Sequence, residues 1–322
     1  MEERQYDLII LGGGCAGLTA GIYAGRSRLR TLILESVQPG GQAAVTNEIA
    51  NYPGIPGISG PELTQRMLDQ ARSFGAELRL QEARQVRLAG EWKEVETDDG
   101  VLRARTVILA TGAFPRQAGF SGEETFYGRG VSYCAACDGP FFRGRDIFVV
   151  GGGYSAAEEA LYLTRFGKRV TVLVRKDAFR CAPSIAERVL SHPHIQVRFH
   201  TELAGISGSQ APEQALLRDV RTGETTVLQA SPEDGSLGVF VFVGRRPATD
   251  LFRGQVELDG NGYVRTNQRL ETGIPGVFAA GDLRVKELRQ LVTAAADGAI
   301  AAARAEQYLA EQAGTPGGRE TF

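Results

Sequence analysis

Two strand–turn–helix–strand units with glycine-rich turns, separated by a Cys-x-x-Cys pair, predict an α/β chain. The expected architecture is two Rossmann-like, three-layer (ββα) dinucleotide-binding domains, the second inserted into the first. Length agrees: 322 residues, 43% of them hydrophobic, exceed what one core usually holds. The expected boundaries are 1–114 for the first part of the outer domain and 115–246 for the inserted domain with the cysteines. The return to the outer domain is 247–312, and 313–322 reads as a flexible tail.

The first unit opens with the apolar run Tyr6–Leu11, followed by Gly12-Gly13-Gly14-Cys15-Ala16-Gly17, an Ala-rich helix and the strand Thr31–Glu35. Each part has a task. Gly12 permits the sharp turn, Gly14 lets backbone approach a pyrophosphate, and Gly17 lets helix and strand pack closely. The helix N-terminus offers free N–H groups and a partial positive charge to the phosphates. Glu35, 18 residues after Gly17, sits where a carboxylate accepts from ribose hydroxyls.

The second unit repeats the pattern: strand Asp146–Val150, turn Gly151-Gly152-Gly153-Tyr154-Ser155-Ala156, a helix expected over 158–166, and strand Val170–Val174. Counting 18 residues from Ala156 reaches Val174, so the ribose-binding acid is absent. Arg175 and Lys176 follow at once, with Arg180 beyond. Positive charge without a carboxylate suits a 2′-phosphate, which favours NADPH over NADH. The alternative is an ordinary solvated basic turn.

Cys134 and Cys137 lie between the units. Such a pair closes a disulfide, and it cycles when one thiol becomes thiolate. A structural zinc would need a second ligand pair, and the three histidines, His192, His194 and His200, crowd a distant stretch. Asp138 is the adjacent proton donor or acceptor, and the small Ala135 and Ala136 suggest a loop open to a partner. Cys15 reads as a buried small hydrophobe and Cys181 as inert.

A net charge of −2 with scattered Lys and Arg provides no basic face for nucleic acid. The polar start lacks the order of a signal peptide, and no apolar run is long enough for a bilayer. A soluble cytoplasmic protein is the expectation.

Over nearly its whole length the chain resembles the low-molecular-weight, bacterial-type thioredoxin reductases. The run Cys134-Ala-Ala-Cys137-Asp138-Gly139 is similar to their active-site motif. Gly40-Gly41-Gln42 and Asn51-Tyr-Pro-Gly54 resemble flavin-contacting loops, and Ala110-Thr111-Gly112 resembles the exit from the FAD domain. Phe242-Val-Gly244-Arg-Arg-Pro247 resembles the return crossover, and Gly276–Asp282 with Arg289-Gln290 the closing flavin motif. The resemblance implies FAD held by the first turn, Glu35, Ser36, Gly41, Gln42, Asn51, Val86, Ala110, Thr111, Gly112, Gly281, Asp282, Arg289, Gln290 and Leu291. It implies NADP at Gly151, Gly153, Tyr154, Ser155, Ala156, Arg175, Lys176 and Arg180. It further implies a homodimer, a thioredoxin or thioredoxin-like partner, and a rotation of the inserted domain about the two crossovers. In its terms Cys137 faces the flavin, Cys134 attacks the substrate disulfide and Asp138 is the acid.

The chain departs from that family at two places. The NADPH turn, His-Arg-Arg in the family, reads Val174-Arg175-Lys176, and Lys holds a phosphate as a point charge only. Weakened NADPH use is expected. A related FAD disulfide oxidoreductase with another donor, such as ferredoxin, stays open, as does a flavin redox sensor. The tail ends in Phe322, read either as a flexible end or as a ring docked on the flavin.

Overall fold

Leu8 and Ile10 point into one hydrophobic cluster, and Ile9 and Leu11 into another. A strand with two apolar faces must lie between two buried layers. The structure, a computed structural model, describes residues 5–46 and 48–314. Phe322 lies outside the described residues. The chain divides into two compact units, Met1–Phe114 with Arg246–Phe322, and Pro115–Arg245.

The outer unit runs β1 (Gln5–Leu11), α1 (Cys15–Arg26), β2 (Thr31–Glu35), α2 (Gly60–Ser73), β3 (Glu77–Leu80), β4 (Gln85–Arg87), β5 (Lys93–Thr97), β6 (Gly100–Leu109) and β7 (Ala113–Pro115). The inserted unit holds β8 (Val131–Ser132), α3 (Ala135–Asp138), β9 (Asp146–Val150), α4 (Tyr154–Leu163), β10 (Arg169–Val174) and α5 (Pro183–Leu190). It continues with β11 (Ile195–Phe199), β12 (Thr201–Ser207), β13 (Gln214–Asp219), β14 (Thr225–Gln229) and β15 (Gly238–Val241). The chain returns through β16 (Arg245–Pro247) to β17 (Val277–Ala279) and α6 (Leu291–Gln312). The two crossings, β7 and β16, pair with each other.

The outer sheet is seven-stranded, in the order β3-β2-β1-β6-β5-β4, with β17 beside β6. Its longest strand, β6, serves two purposes: its start pairs antiparallel with β5 and its end parallel with β1. Helices α1, α2 and α6 bury one face, through Leu18, Met67 and Ala301 among others. Val86, Val95, Phe252 and Val264 bury the other.

The inserted unit repeats this plan. Its parallel sheet has the order β11-β10-β9-β15-β8, and β12-β13-β14 form a separate antiparallel sheet. Ile147 and Val149 face the helices, while Phe148 and Val150 face Leu203 and Leu217 of the antiparallel strands. Each unit is therefore helices, parallel sheet and antiparallel strands, the three-layer α/β class expected. One element differs: α4 begins at Tyr154, not Glu158, and ends at Leu163, not Phe166. Extended Gly153 is its N-cap, so the helix starts directly at the turn. The Phe166 and Gly167 N–H groups fold back onto Leu163 and close its end.

Candidate active site

The Gly-rich turns of the two units share one hydrogen-bond scheme. The Gly12 N–H donates to Leu34 O and the Ala110 N–H to Leu11 O; in the inserted unit the Gly151 N–H donates to Leu173 O and the Phe242 N–H to Val150 O. A Cβ on Gly12 would lie 2.4 Å from Ala110 O, and one on Gly151 2.5 Å from Phe242 O. Glycine is required at both by contact as well as by positive φ. Gly17 packs on the turn so closely that a Cβ would meet Gly12 O at 1.9 Å.

A cavity of about 570 Å³ opens at the first turn, walled entirely by the outer unit. Of the residues expected there, Gly12, Gly14, Cys15 and Ala16 line it, as do Glu35, Ser36, Gly41 and Gln42. Ala110, Thr111, Gly112, Gly281, Asp282 and Leu291 close it. Gly14 is the N-cap of α1 and offers no side chain, and no acidic residue stands in the first turn. No side chain of the first turn competes with an anion for the N–H groups there. Glu35 accepts the Gly13 N–H at 2.8 Å and the Val37 N–H at 3.1 Å, which fixes the carboxylate at the rim. Thr111 Oγ donates to Ala248 O at 2.6 Å, tying the return segment to this wall. The donor set and the side-chain-free turn fit a dinucleotide such as FAD.

Six expected residues stand outside the wall: Gly13 and Gly17 pack within the turn, and four others lie beyond it. Val86 is buried in the opposite core, 2% exposed, and its carbonyl is taken by Gln255 Nε2 at 2.9 Å. The segment ahead of it lines the cavity through Gln81, Glu82 and Ala83. Arg289 lies over the Tyr263 ring at 4.3 Å and donates to the carbonyls of Asp282, Arg284 and Lys286. Gln290 caps α6 in a reciprocal pair with Thr293 and accepts from Asn51 Nδ2 at 3.0 Å. These three secure the loops around Leu291.

Sequence reasoning missed Asp297. Buried in α6, it accepts from the Gly281 N–H at 2.9 Å, Arg284 Nε at 2.9 Å and Lys286 Nζ at 2.8 Å. It anchors the turn that presents Asp282. The available signal was a carboxylate within the Ala-rich first half of the helix. Ala248, Asp250 and Leu251 also line the cavity and carry no local motif. Cys15 Sγ donates to Leu291 O at 3.3 Å, and its thiol is pushed up to about 12 by burial first and the Asp282 charge second. It is a packing residue, as expected.

In the inserted unit Val174 stands where Glu35 stands in the outer one. A Cβ on Gly152 would face Val174 Cγ1 at 2.7 Å, as one on Gly13 would face Glu35 Cβ at 3.1 Å. Tyr154, Ser155, Arg175, Lys176 and Arg180 are exposed, and Ala156 is buried under the turn. Arg180 is brought back by the fold: its N–H donates to Gly152 O at 2.7 Å and it bridges Gly153. Gly40 holds that slot beside Gly13 and Gly14 in the outer unit. The second turn thus carries a cation at its lip where the first carries glycine. Its free first helical turn and three basic side chains fit a phosphorylated nucleotide.

Cys134 and Cys137 form a disulfide, with Cα atoms 5.3 Å apart, in the inserted unit. The open loop expected around Ala135 and Ala136 is instead the helical turn α3, with Ala135 fully buried and Ala136 exposed. Extended Cys134 is the N-cap, and its Sγ accepts the Cys137 N–H at 3.2 Å. An Ala at 135 gives a helix-forming residue small enough to pack below the turn. Asp138 Oδ2 accepts from Ser132 Oγ at 2.5 Å. Burial raises the Asp138 carboxyl above the usual range, and the Ser132 bond opposes that rise. Glu123, 3% exposed, accepts from Tyr133 Oη at 2.8 Å and from the Ala118 and Gly119 N–H groups. Tyr133, just ahead of Cys134, is thereby held; burial, then the Glu123 bond, pushes its phenol up.

A family described as pyridine nucleotide-disulphide oxidoreductase matches residues 6–298. The chain is similar to a thioredoxin reductase of Peptoclostridium acidaminophilum, 46% identical over 95% of this chain and 98% of the relative. A thioredoxin reductase of Mycolicibacterium smegmatis is 47% identical over 97% of this chain and 99% of the relative. Among solved structures, a thioredoxin reductase from Streptococcus pyogenes MGAS5005 shares 41% identity with a TM-score of 0.90, covering 96% of this chain and 100% of that one.

Proposed function

Because the chain belongs to the low-molecular-weight thioredoxin reductase family of pyridine nucleotide-disulphide oxidoreductases, we propose that it passes electrons from NADPH through FAD to Cys134–Cys137 and on to a thioredoxin. The observation that carries the reading is the Cys134–Cys137 disulfide with a buried carboxyl, Asp138, one residue beyond it. Bound FAD supplies a two-electron carrier between a nicotinamide and a disulfide. Glu35 holds its ribose, the N-terminus of α1 its pyrophosphate, and Asp282 its ribityl chain. Arg175, Lys176 and Arg180 hold the 2′-phosphate of NADPH.

The residues of the chain then do the following. In the reduced pair Cys134 is thiolate, Cys137 thiol and Asp138 carboxylic acid. Cys134 attacks the substrate disulfide; that S–S bond breaks, a mixed disulfide forms, and the expelled thiolate takes the Asp138 proton. Cys137 next gives its proton to the Asp138 carboxylate and attacks Cys134. The Cys134–Cys137 bond closes, and the second substrate sulfur leaves with the proton from Asp138. The dithiol loses two electrons and one proton, Asp138 ends as carboxylate having given the other proton, and the substrate gains two electrons and two protons.

A cytoplasmic homodimer completes the proposal. No helix among the described residues is long and apolar enough to cross a membrane. The test is to mix the purified protein with NADPH without oxygen, follow the flavin absorbance, and then add oxidised thioredoxin. Rapid bleaching, and recovery on adding thioredoxin, is the expected result. Cys137→Ser keeps the yellow colour and loses thioredoxin reduction; full activity in that variant defeats the assignment. A second reading, the same dithiol fed by ferredoxin, rests on Val174 and Lys176 in the nucleotide turn. It predicts no bleaching with NADPH.

A further inference from the structure

Ser132 is 2% exposed at the end of β8, and its hydroxyl is surrounded by the catalytic turn. Its Oγ lies 2.5 Å from Asp138 Oδ2 and 3.3 Å from the Cys134 carbonyl oxygen, and it accepts the Cys134 N–H at 3.0 Å. A hydroxyl has one hydrogen and two lone pairs. Two acceptors compete for that one hydrogen.

We propose that Ser132 is the positioning residue for the acid of this reaction, its hydroxyl hydrogen turning between Asp138 and the Cys134 carbonyl as Asp138 loses and regains its proton. With Asp138 ionised, the Ser132 O–H donates to the carboxylate. With Asp138 protonated, the carboxyl O–H donates to Ser132 Oγ and the serine hydrogen turns to Cys134 O. In both states Oγ accepts the Cys134 N–H, and no buried polar group is left without a partner. The relay holds Asp138 in one place through both proton transfers while tethering it to the backbone of the attacking cysteine. Alanine offers neither the donor nor the acceptor.

The remaining charges around the site belong to other couplings. Tyr127 faces Asp138, its phenol pushed up by burial first and then by the Asp138 charge, with Arg245 opposing. Glu159 of α4 couples to Glu158 and Arg245. Cys134 and Cys137 are joined in the oxidised form. Burial raises Asp138 and Ser132 is the group that opposes it, so removing the hydroxyl raises it further.

The inference rests on Asp138 being the acid of the proposed reaction, and its test separates the two. Infrared difference spectra of the oxidised holoenzyme across pH, with Asp138→Asn subtracted, read the titration of this one carboxyl. Its midpoint is expected at higher pH in Ser132→Ala than in the unmodified protein. Thioredoxin reduction by Ser132→Ala is expected to fall about tenfold at its optimum, the size of a lost bond to a charged group. Its alkaline limb moves to higher pH. In the Asp138→Asn background the Ser132→Ala change has no further effect on the profile. An unchanged carboxyl midpoint, or an equal Ser132→Ala effect with and without Asp138, overturns the inference. A protein that reduces no thioredoxin overturns the proposed reaction and leaves the infrared result standing.

Discussion

Glu35 accepts the Gly13 N–H on its carboxylate at 2.8 Å. In the inserted unit the matching side chain, Val174, meets Gly152 as a hydrocarbon. In the proposed reading the first turn holds ribose hydroxyls through Glu35, and the second holds a 2′-phosphate through Arg175, Lys176 and Arg180. Glu35→Ala is expected to weaken FAD binding by about 10- to 100-fold, since hydrogen bonds to a charged group contribute about 1.5–3 kcal/mol. Titration of apoprotein with FAD measures it. Val174→Glu is expected to raise KM for NADPH and lower it for NADH, because the new carboxylate repels a 2′-phosphate. Unchanged nucleotide preference would remove Val174 from the specificity argument.

Gly17 and Gly153 separate fold from binding. A Cβ on Gly17 would sit 1.9 Å from backbone, whereas one on Gly153 has nothing within 4 Å, and φ there is −95°. Gly17→Ala is expected to lower Tm sharply and release flavin. Gly153→Ala keeps the Tm, because neither space nor dihedral resists it, while KM for NADPH rises as the methyl group holds the phosphates away. A fall in Tm for Gly153→Ala would show that this turn is strained in a way the contacts do not express.

Asp138 links stability to pH with a definite sign. Burial raises its folded value above the ordinary 3.8, so the folded protein holds this proton more tightly than the unfolded chain. The ionised carboxylate therefore costs stability above the folded value, and the cost vanishes as pH falls below 3.8. Asp138→Asn is expected to melt higher than the unmodified protein at neutral pH. The difference shrinks as pH is lowered through the raised value. A constant or growing gap toward acid would contradict the sign.

The cysteines should differ in reactivity. Cys15 is buried with its thiol near 12, and Cys181 is half-exposed with its thiol raised by burial. At pH 8 roughly one Cys15 in ten thousand is thiolate. Iodoacetamide on the oxidised folded protein is expected to label Cys181 alone, and slowly; reduction adds the active pair. Mass spectrometry reads the count, and a label on Cys15 before unfolding would deny its burial.

Much of this was legible in the residues. Leu8 to Leu11 are apolar at every position, which announces a strand buried on both faces, and Gly12, Gly14 and Gly17 announce the turn. The acid Glu35, its loss at Val174, and the Cys134–Cys137 pair were all readable by counting. The start of α4 was misread because Tyr154 and Ser155 look like turn residues. Gly153 caps the helix with backbone alone and leaves no side-chain signal.

The chain order of amino acids decided the two repeated nucleotide units, the dithiol between them and the missing ribose acid, because each depends on local steric and chemical patterns a few residues long. Tertiary structure alone decided that Arg180 sits beside Gly153, that Asp297 anchors the Asp282 turn, that Val86 is buried with Val95 and Phe252, and that Ser132 joins Asp138 to Cys134. Such relations come from backbone pairing and packing between segments that the chain separates. A hydroxyl or carboxylate carries no mark in sequence of the partner that folding will bring to it.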